Sequence, residues 1–195
     1  MYTLVLVEHG TSHLITDSKP RTVLTLNPDC KVRVFFAQNS VHLKLKIRTM
    51  YETIHMLHSY LAYIALAVLI LAVINAISGL LGKRIFNMGK DLRLSLFALI
   101  LCHIQLLIGL ILYFVSPSGL SAIQEFGMGG LSSAARLLAV EHPFINILAI
   151  AAITIGWSRH KKFVEGNKKF KSIAIFYGIG LLLILSRIPW GQWFN

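Results

Sequence analysis

Apolar residues form four long stretches along this chain, separated by polar connections of very different charge. The stretches cover residues 58–80, 94–115, 137–157 and 173–188. Each is close to the ~20 residues that a helix needs to cross ~30 Å of hydrocarbon. Because lipid offers the backbone no hydrogen-bonding partner, each stretch is predicted to be helical. With short connections between neighbours, the pattern predicts an all-α membrane protein with four transmembrane helices in an antiparallel up-and-down bundle.

Basic residues are concentrated in the first and third connections, whereas the middle connection, residues 116–135, contains no Lys or Arg. The positive-inside rule therefore predicts that both basic connections are cytoplasmic and that the helical domain begins and ends outside. This placement also explains the net charge of +11 without nucleic acid, since no nucleic-acid-binding motif accompanies the charge. The basic residues of the two connections are Lys83, Arg84, Lys90, Arg93, Arg159, Lys161, Lys162, Lys168, Lys169 and Lys171.

Residues 1–49 depart from this pattern. They contain seven basic residues, an alternating segment at 41–47 and a turn signal at Asn27-Pro28-Asp29, which together predict a short β-like or disordered extension. They lack the apolar core of a secretory signal, so seven positive charges would have to cross the membrane ahead of the first helix. We therefore expect translation to begin at Met50, which leaves 50–195 as the transmembrane domain. The alternative is a genuine β-rich extension.

Three histidines lie at membrane depth, where an ionisable group is costly unless it is paired or in use. His103 lies near the middle of the second helix, His142 in the outer part of the third and His58 near the outer end of the first. Neutral imidazoles from different helices that face one another in an apolar interior are the ligands of haem b. From helix midpoints, His103 and His142 differ in depth by roughly 8 Å.

The predicted haem site uses His142 first and His103 second, with His58 as the substitute partner. Arg136 and Arg187 lie toward the outer ends of their helices, where they could bind the propionates. Asn146, one turn from His142, could orient its ring. The small residues predicted to leave room for a flat macrocycle are Ala135, Ala139 and Ala149.

Structural roles are the alternative for each of these polar groups. His103 could be a neutral group that ties two helices together, and Gln105 is predicted to make an interhelical hydrogen bond. Arg136 could pair with Glu141 at the outer surface, while Arg187 could extend its charge to the interface. The absence of Cys-x-x-Cys argues against iron–sulfur clusters and covalently attached haem. No phosphate-binding loop is present, and no nucleophile-and-base constellation supports hydrolase or transferase chemistry.

Three segments resemble a family of small four-helix bacterial membrane proteins, some of which are called cytochrome-b-like. They are residues 93–117 with His103 and Gln105, residues 136–158 with Arg136 and Glu141-His142, and the Ile188-Pro189-Trp190 ending. The resemblance covers residues 50–195. It implies haem b, electron transfer and the bacterial inner membrane.

Three functions from different classes follow. The first is a b-type haem protein in the lipid bilayer that passes electrons between a quinone and a respiratory membrane complex. The second is a cofactor-free structural or assembly subunit whose polar residues only join helices. The third is a small transporter or metal-handling protein with His55, His58 and His142 at its outer mouth. It lacks the broken helix pairs of many transporters.

Overall fold

A computed structural model describes the backbone of residues 28–193 and the side chains of residues 45–191. Contacts divide the chain into two units, 1–44 and 45–195, and the packing below concerns the second. Seven α-helices and one π-helical turn are present in the described backbone. They are α1 (Pro28–Leu81), α2 (Asp91–Val115), α3 (Leu120–Gly130), α4 (Ser133–Arg136), the π turn (Leu137–Glu141), α5 (His142–His160), α6 (Gly166–Ser186) and α7 (Trp190–Trp193).

Four helical segments are long and apolar enough to cross a membrane, as predicted for a multi-pass integral membrane protein. They are Leu45–Leu81, Asp91–Val115, Ser133–His160 and Gly166–Ser186. Large apolar side chains on their outer faces remain exposed, including Leu107 and Leu182 at 61% and 69%. A soluble bundle would bury such residues, whereas a bilayer covers them. The predicted four-helix transmembrane fold is therefore confirmed.

The core is built from small residues and a few rings, which lets the helices approach closely. Gly156 packs under Phe176, and Gly180 packs against Ile153. The fully buried Tyr177 donates its hydroxyl hydrogen to the carbonyl oxygen of Ser95 at 2.9 Å, which joins α6 to α2. Other residues of this core are Leu69, Ala72, Val73, Ala76, Ala98, Cys102, Ile150, Phe170 and Ile173.

The prediction of short strands ahead of the first span was wrong wherever the backbone is described. Residues 28–49 are helical, and α1 begins at Pro28. Proline is favoured at the first position of a helix, so the supposed turn at Pro28 is a helix start. Lys, Leu and Arg in 41–48 are good helix formers, and their alternation is too short to outweigh that propensity. Residues 1–27 lie outside the described residues, and the start at Met50 stays a prediction.

The two basic connections lie at the same end of the bundle, as predicted. A Cβ on Gly166, at the start of α6, would lie 3.1 Å from the backbone nitrogen of Phe86 in the first connection. The guanidinium carbon of Arg84 lies 5.5 Å from the centroid of the Phe170 ring. We call this the basic end, formed by residues 82–90 and 161–165 with the adjoining helix turns. The opposite end, where α1 passes His58 and α5 begins, is called the cavity end.

The middle connection crosses the cavity end and contains the short helix α3. Ala122 of α3, Leu131 and Ala139 of the π turn form a second, small buried cluster. Gly127, with φ of +66°, allows a kink inside α3 that other residues rarely adopt. The connection is thus packed against the start of the third span.

Candidate functional site

A π turn places His142 at the cavity end. Pro143 has no backbone N–H, and its ring would clash with the carbonyl of residue 139 in a regular α-helix. The chain accommodates this by widening Leu137–Glu141 into a π turn, in which the His142 N–H donates to the carbonyl oxygen of Leu137. Such insertions rotate the side chains that follow them and are frequent at functional sites. The sequence interpretation treated 137–157 as an uninterrupted helix and missed this consequence of Pro143.

The His142 ring is held by one hydrogen bond from Nδ1 and lies against the side chain of Asn146. Its Nδ1 donates to the carbonyl oxygen of Arg187 at 2.8 Å, across to the end of α6. The side-chain nitrogen of Asn146 donates to the His142 carbonyl oxygen at 2.7 Å and lies 3.2 Å from Nδ1. Asn146 therefore contacts the ring, as predicted. With the proton fixed on Nδ1, Nε2 presents a lone pair.

His58 on α1 is held by Gln105 on α2. The Gln105 Nε2 donates to the His58 carbonyl oxygen at 2.8 Å and lies 3.1 Å from His58 Nδ1. This confirms the predicted interhelical hydrogen bond of Gln105. Gly109, one turn further along α2, makes room for the ring, since a Cβ there would lie 3.0 Å from His58 Cε1. The Gln105 Oε1 is buried and has no hydrogen-bond partner among the described residues.

His58 and His142 face the same cavity. Their ring centroids are 6.4 Å apart, with ring planes at 77°. The cavity has a volume of about 240 Å³ and is partly open. Its floor is apolar, with Ala65, Leu69 and Ile150, and its upper wall carries the polar groups. Other lining residues are Tyr51, His55, Ser59, Ala62, Leu66, Cys102, Gln105, Leu106, Gly109, Tyr113, Ser116, Asn146, Ile184, Ile188 and Pro189.

The structure does not bring His103 and His142 together. His103 Nδ1 donates to the carbonyl oxygen of Leu99 at 2.8 Å, and its Nε2 lies 3.3 Å from the hydroxyl of Thr154 on α5. Thr154 is twelve residues beyond His142, or about 18 Å along the helix. That separation exceeds the predicted depth difference. The Thr154 hydroxyl donates its hydrogen to the Ile150 carbonyl oxygen at 2.7 Å and contacts His103 Nε2 with its oxygen. His103 thus joins α2 to α5 within the described structure.

Arg136 and Arg187 meet at one carboxylate beside His142. Glu141 Oε1 lies 3.6 Å from Arg136 Nε, and Glu141 Oε2 lies 3.3 Å from Arg187 Nε. The predicted Arg136–Glu141 pair is therefore present, and Arg187 completes a cluster with a net charge of +1. All three side chains are at least one-third exposed, so the pairs contribute little to stability. The cluster places a net positive charge beside His142, and none of its three residues lines the cavity.

A metal centre of three or more protein ligands is absent from the described residues. No group of three or more His, Cys, Asp or Glu side chains there is placed to hold a metal ion. His55, the third member of the predicted outer-mouth cluster, is exposed and stacks near Tyr51 with centroids 5.8 Å apart. The described geometry therefore gives no support to a metal-handling site of His55, His58 and His142.

The small residues predicted to make room for a macrocycle serve a different purpose. Ala139 is buried in the small cluster under α3, Ala135 packs against that cluster, and Ala149 is buried beside Gly180. None of them lines the cavity. For Ala135 and Ala139, helical spacing from His142 was the wrong guide, because the π turn lies between them and His142 or includes them. Ala149 is in the same regular helix as His142, but it is buried against α6. Gly109, four residues after Gln105, was the signal that could have located the open space.

Comparisons of the chain with protein-family models, with curated proteins and with solved structures found no match. The resemblance to cytochrome-b-like membrane proteins therefore stays a prediction, and the function must be argued from the cavity end itself.

Proposed function

We propose that this membrane protein is a b-type haem protein for electron transfer, with His58 and His142 as the axial pair. The observation that carries the proposal is the placement of two imidazoles, from different helices, on one cavity. His142 was the first predicted ligand and His58 the substitute partner. His103, predicted second, lies off the cavity, with Nδ1 bonded to the Leu99 carbonyl oxygen and Nε2 beside Thr154.

The spacing of the two rings supports this assignment. Metal–imidazole bonds of about 2.0 Å put two axial nitrogens about 4 Å apart, and each ring centroid lies roughly 1 Å behind its nitrogen. Two imidazoles that held one iron between them would therefore have centroids about 6 Å apart, close to the 6.4 Å between His58 and His142.

The hydrogen bond to the far side of the His142 ring also suits ligation. Ligating histidines usually donate their other ring N–H to a carbonyl or carboxylate, which fixes the ring and leaves the ligating nitrogen free. His142 already does this through the Arg187 carbonyl oxygen. His58 Nδ1 instead lies 3.1 Å from the Gln105 amide nitrogen, which is a donor, so the His58 proton is on Nε2. Ligation through Nε2 would therefore require that proton to leave Nε2.

The volume of the cavity sets a condition on the proposal. An engineered apolar cavity of about 150 Å³ holds one benzene ring, so 240 Å³ holds more than one ring but not a whole macrocycle. Haem, which supplies one-electron transfer when bound, would have to extend through the open side of the cavity. The propionates could then meet the net positive cluster of Arg136, Glu141 and Arg187. Apolar contacts between the macrocycle and Leu69 and Ile150 would exclude water from the apolar floor of the cavity.

The test is a reduced-minus-oxidised spectrum of the purified full chain, produced with haem supplied in excess. We expect a b-type spectrum that His142→Ala and His58→Ala each abolish. His103→Ala is the control, because it removes an imidazole of a membrane-spanning helix that lies off the cavity, and the spectrum should remain. An uncoloured wild-type protein, or an unchanged spectrum in His142→Ala, would overturn the proposal.

A second candidate is the binding of a single-ring headgroup, such as a quinol, without haem. It is favoured by the cavity volume and by the present partners of the two rings. His58 Nδ1 faces the Gln105 amide nitrogen, which is a donor, so the proton of the His58 ring is on Nε2. On His142 the proton is on Nδ1, so Nε2 carries a lone pair. The cavity thus offers one donor, one acceptor and the unpaired Gln105 Oε1 to a hydroxyl-bearing ring. A colourless protein whose thermal stability rises with a short-chain quinol, but not in His142→Ala, would favour this candidate.

The orientation in the membrane is part of the proposal. The ten basic residues of the first and third connections support a cytoplasmic basic end and a cavity end that faces outward, in a bacterial inner membrane. A reporter fused after Lys90 or Lys168 should report the cytoplasm, and one near Gly127 the outside. The reverse pattern would place the cavity on the cytoplasmic side.

A further inference from the structure

We infer that the basic end carries a specific binding site for the headgroup of an anionic phospholipid, centred on Lys161 and Lys169. This inference is independent of the cavity end. It begins with four rings from three parts of the chain that pack into one cluster: Phe86, Trp157, His160 and Phe170. The centroids of Phe86 and Phe170 are 5.0 Å apart, and those of Trp157 and His160 are 4.5 Å apart.

The ring cluster is a fixed platform. Phe170 is fully buried, and its ring lies against Gly79 of α1, where a Cβ would be 2.4 Å from Cζ. His160 is 2% exposed, and its Nδ1 donates to the Trp157 carbonyl oxygen. Phe86, which belongs to the first connection, completes the cluster, and its ring centroid is 6.2 Å from that of His160. The platform therefore joins α1, α5, α6 and the first connection at the level where the spans end.

Two lysines lie on this platform with their ammonium groups held by ring faces. Lys161 Nζ lies 4.9 Å from the centroid of Trp157, and Lys169 Nζ lies 5.4 Å from the centroid of Phe86. Cation–π contacts of this length are attractive and limit the freedom of the side chain. A charge that is already positioned loses less entropy on binding an anion.

Neither lysine has an ionic partner in the described part of the chain. The nearby acidic groups are used by other cations: Glu165 pairs with Lys168 at 2.8 Å, and Asp91 lies 3.6 Å from Arg84. Two positioned ammonium groups without a carboxylate are complementary to a phosphodiester. Both α5 and the membrane-spanning segment that contains it end at His160, so the two lysines lie near the surface of the bilayer. The phosphodiester expected at that surface is a lipid headgroup. Basic pockets between helix ends are known to bind such headgroups.

The neighbouring lysines provide a matched control. Lys162 and Lys171 are exposed at the same end and make no ring contact among the described residues. Removing either pair changes the net charge by the same amount. A diffuse attraction to anionic lipid would respond equally to both pairs, whereas a built site responds only to the pair on the rings.

The experiment is native mass spectrometry of the full chain in detergent with added phosphatidylglycerol or phosphatidylcholine. We expect phosphatidylglycerol to be retained in preference to phosphatidylcholine. Lys161→Ala with Lys169→Ala should reduce that preference roughly tenfold, while Lys162→Ala with Lys171→Ala leaves it within about twofold. Lys161→Arg with Lys169→Arg should retain it, which shows that the fold is intact.

Two results would overturn the inference. Equal losses in the two double-alanine variants would mean that net charge alone attracts the lipid. An absence of preference between the two lipids in the wild-type protein would mean that no headgroup site exists. Haem spectra are irrelevant to either result, so failure here leaves the proposal for the cavity end untouched.

Discussion

The two ends of the bundle treat their polar groups in opposite ways. At the basic end, the buried carboxylate of Asp91 accepts hydrogen bonds from the Asn75 side chain and the Asn87 backbone, and Arg84 lies 3.6 Å away. At the cavity end, His58 and His142 each use only Nδ1 in the described structure, and Gln105 Oε1 is unpaired. One end satisfies its buried groups, and the other leaves hydrogen-bonding capacity open toward a cavity.

This difference separates stability from binding. A buried polar group without a partner costs free energy, so a protein retains one where a ligand can supply the missing contact. We therefore expect substitutions of the buried groups at the basic end, such as Asp91, to lower the free energy of unfolding. Substitutions at the cavity end should change binding with little effect on unfolding. Each prediction below tests one side of that contrast.

Asp91→Ala should have the largest effect on stability. Asp91 is 2% exposed and accepts from Asn75 Nδ2 at 2.8 Å and from the Asn87 N–H at 2.7 Å. Its removal leaves two donors without an acceptor, and we expect a loss of about 3 kcal/mol in the free energy of unfolding. Unfolding in mixed detergent micelles measures it. Glu165→Ala, which breaks an exposed pair with Lys168, should cost less than about 0.5 kcal/mol. Equal effects would remove the basis for calling the basic end a stability centre.

Gly79→Ala should rank second. Its new Cβ would lie 2.4–2.7 Å from three atoms of the Phe170 ring, which is wedged in the core and cannot retreat. Overpacking of this kind costs about 2 kcal/mol. Gly178→Ala is the control, since nothing lies within 4 Å of its Cβ position and alanine favours the helix.

A second variant separates crowding from other effects of Gly79→Ala. Adding Phe170→Leu should recover part of the loss in Gly79→Ala, because the smaller side chain relieves the overlap. If Gly79→Ala is as stable as Gly178→Ala, the ring is not wedged, and the platform for Lys161 and Lys169 loses its support.

The sequence predicted the spans, the all-α bundle and the clustering of the two basic connections. These features depend on hydrophobic length and loop charge, which are local and additive along the chain. The Arg136–Glu141 pair was also predictable, since five residues separate the partners. The alternation of residues 41–47 gave a wrong prediction of strands, because seven residues of period two are too few to interrupt the helix that runs through them.

The pairing within the site was harder to predict, because it depends on rotation and depth together. A helix end uncertain by one turn shifts depth by ~5 Å, which allowed either His103 or His58 to face His142. The π turn before Pro143 also changed the rotation between His142 and the residues that precede it, so Ala135 and Ala139 do not line the cavity. Thr154 as the partner of His103 was invisible to sequence, since fifty-one positions separate the two.

Gln105→Leu should have the smallest effect on stability and the sharpest effect on binding. It removes the hydrogen bond to the His58 carbonyl oxygen at 2.8 Å, but it also removes the buried, unpaired Oε1. These effects oppose one another, so the free energy of unfolding should change by less than about 1 kcal/mol. His58 would lose the group that orients its ring, so any bound haem or quinol should show an altered spectrum or weaker binding. Thr154→Val, which removes the partner of His103 Nε2 away from the cavity, should leave binding unchanged. A destabilisation in Gln105→Leu as large as that in Asp91→Ala would show that Gln105 is a structural clamp, and the contrast between the two ends would fail.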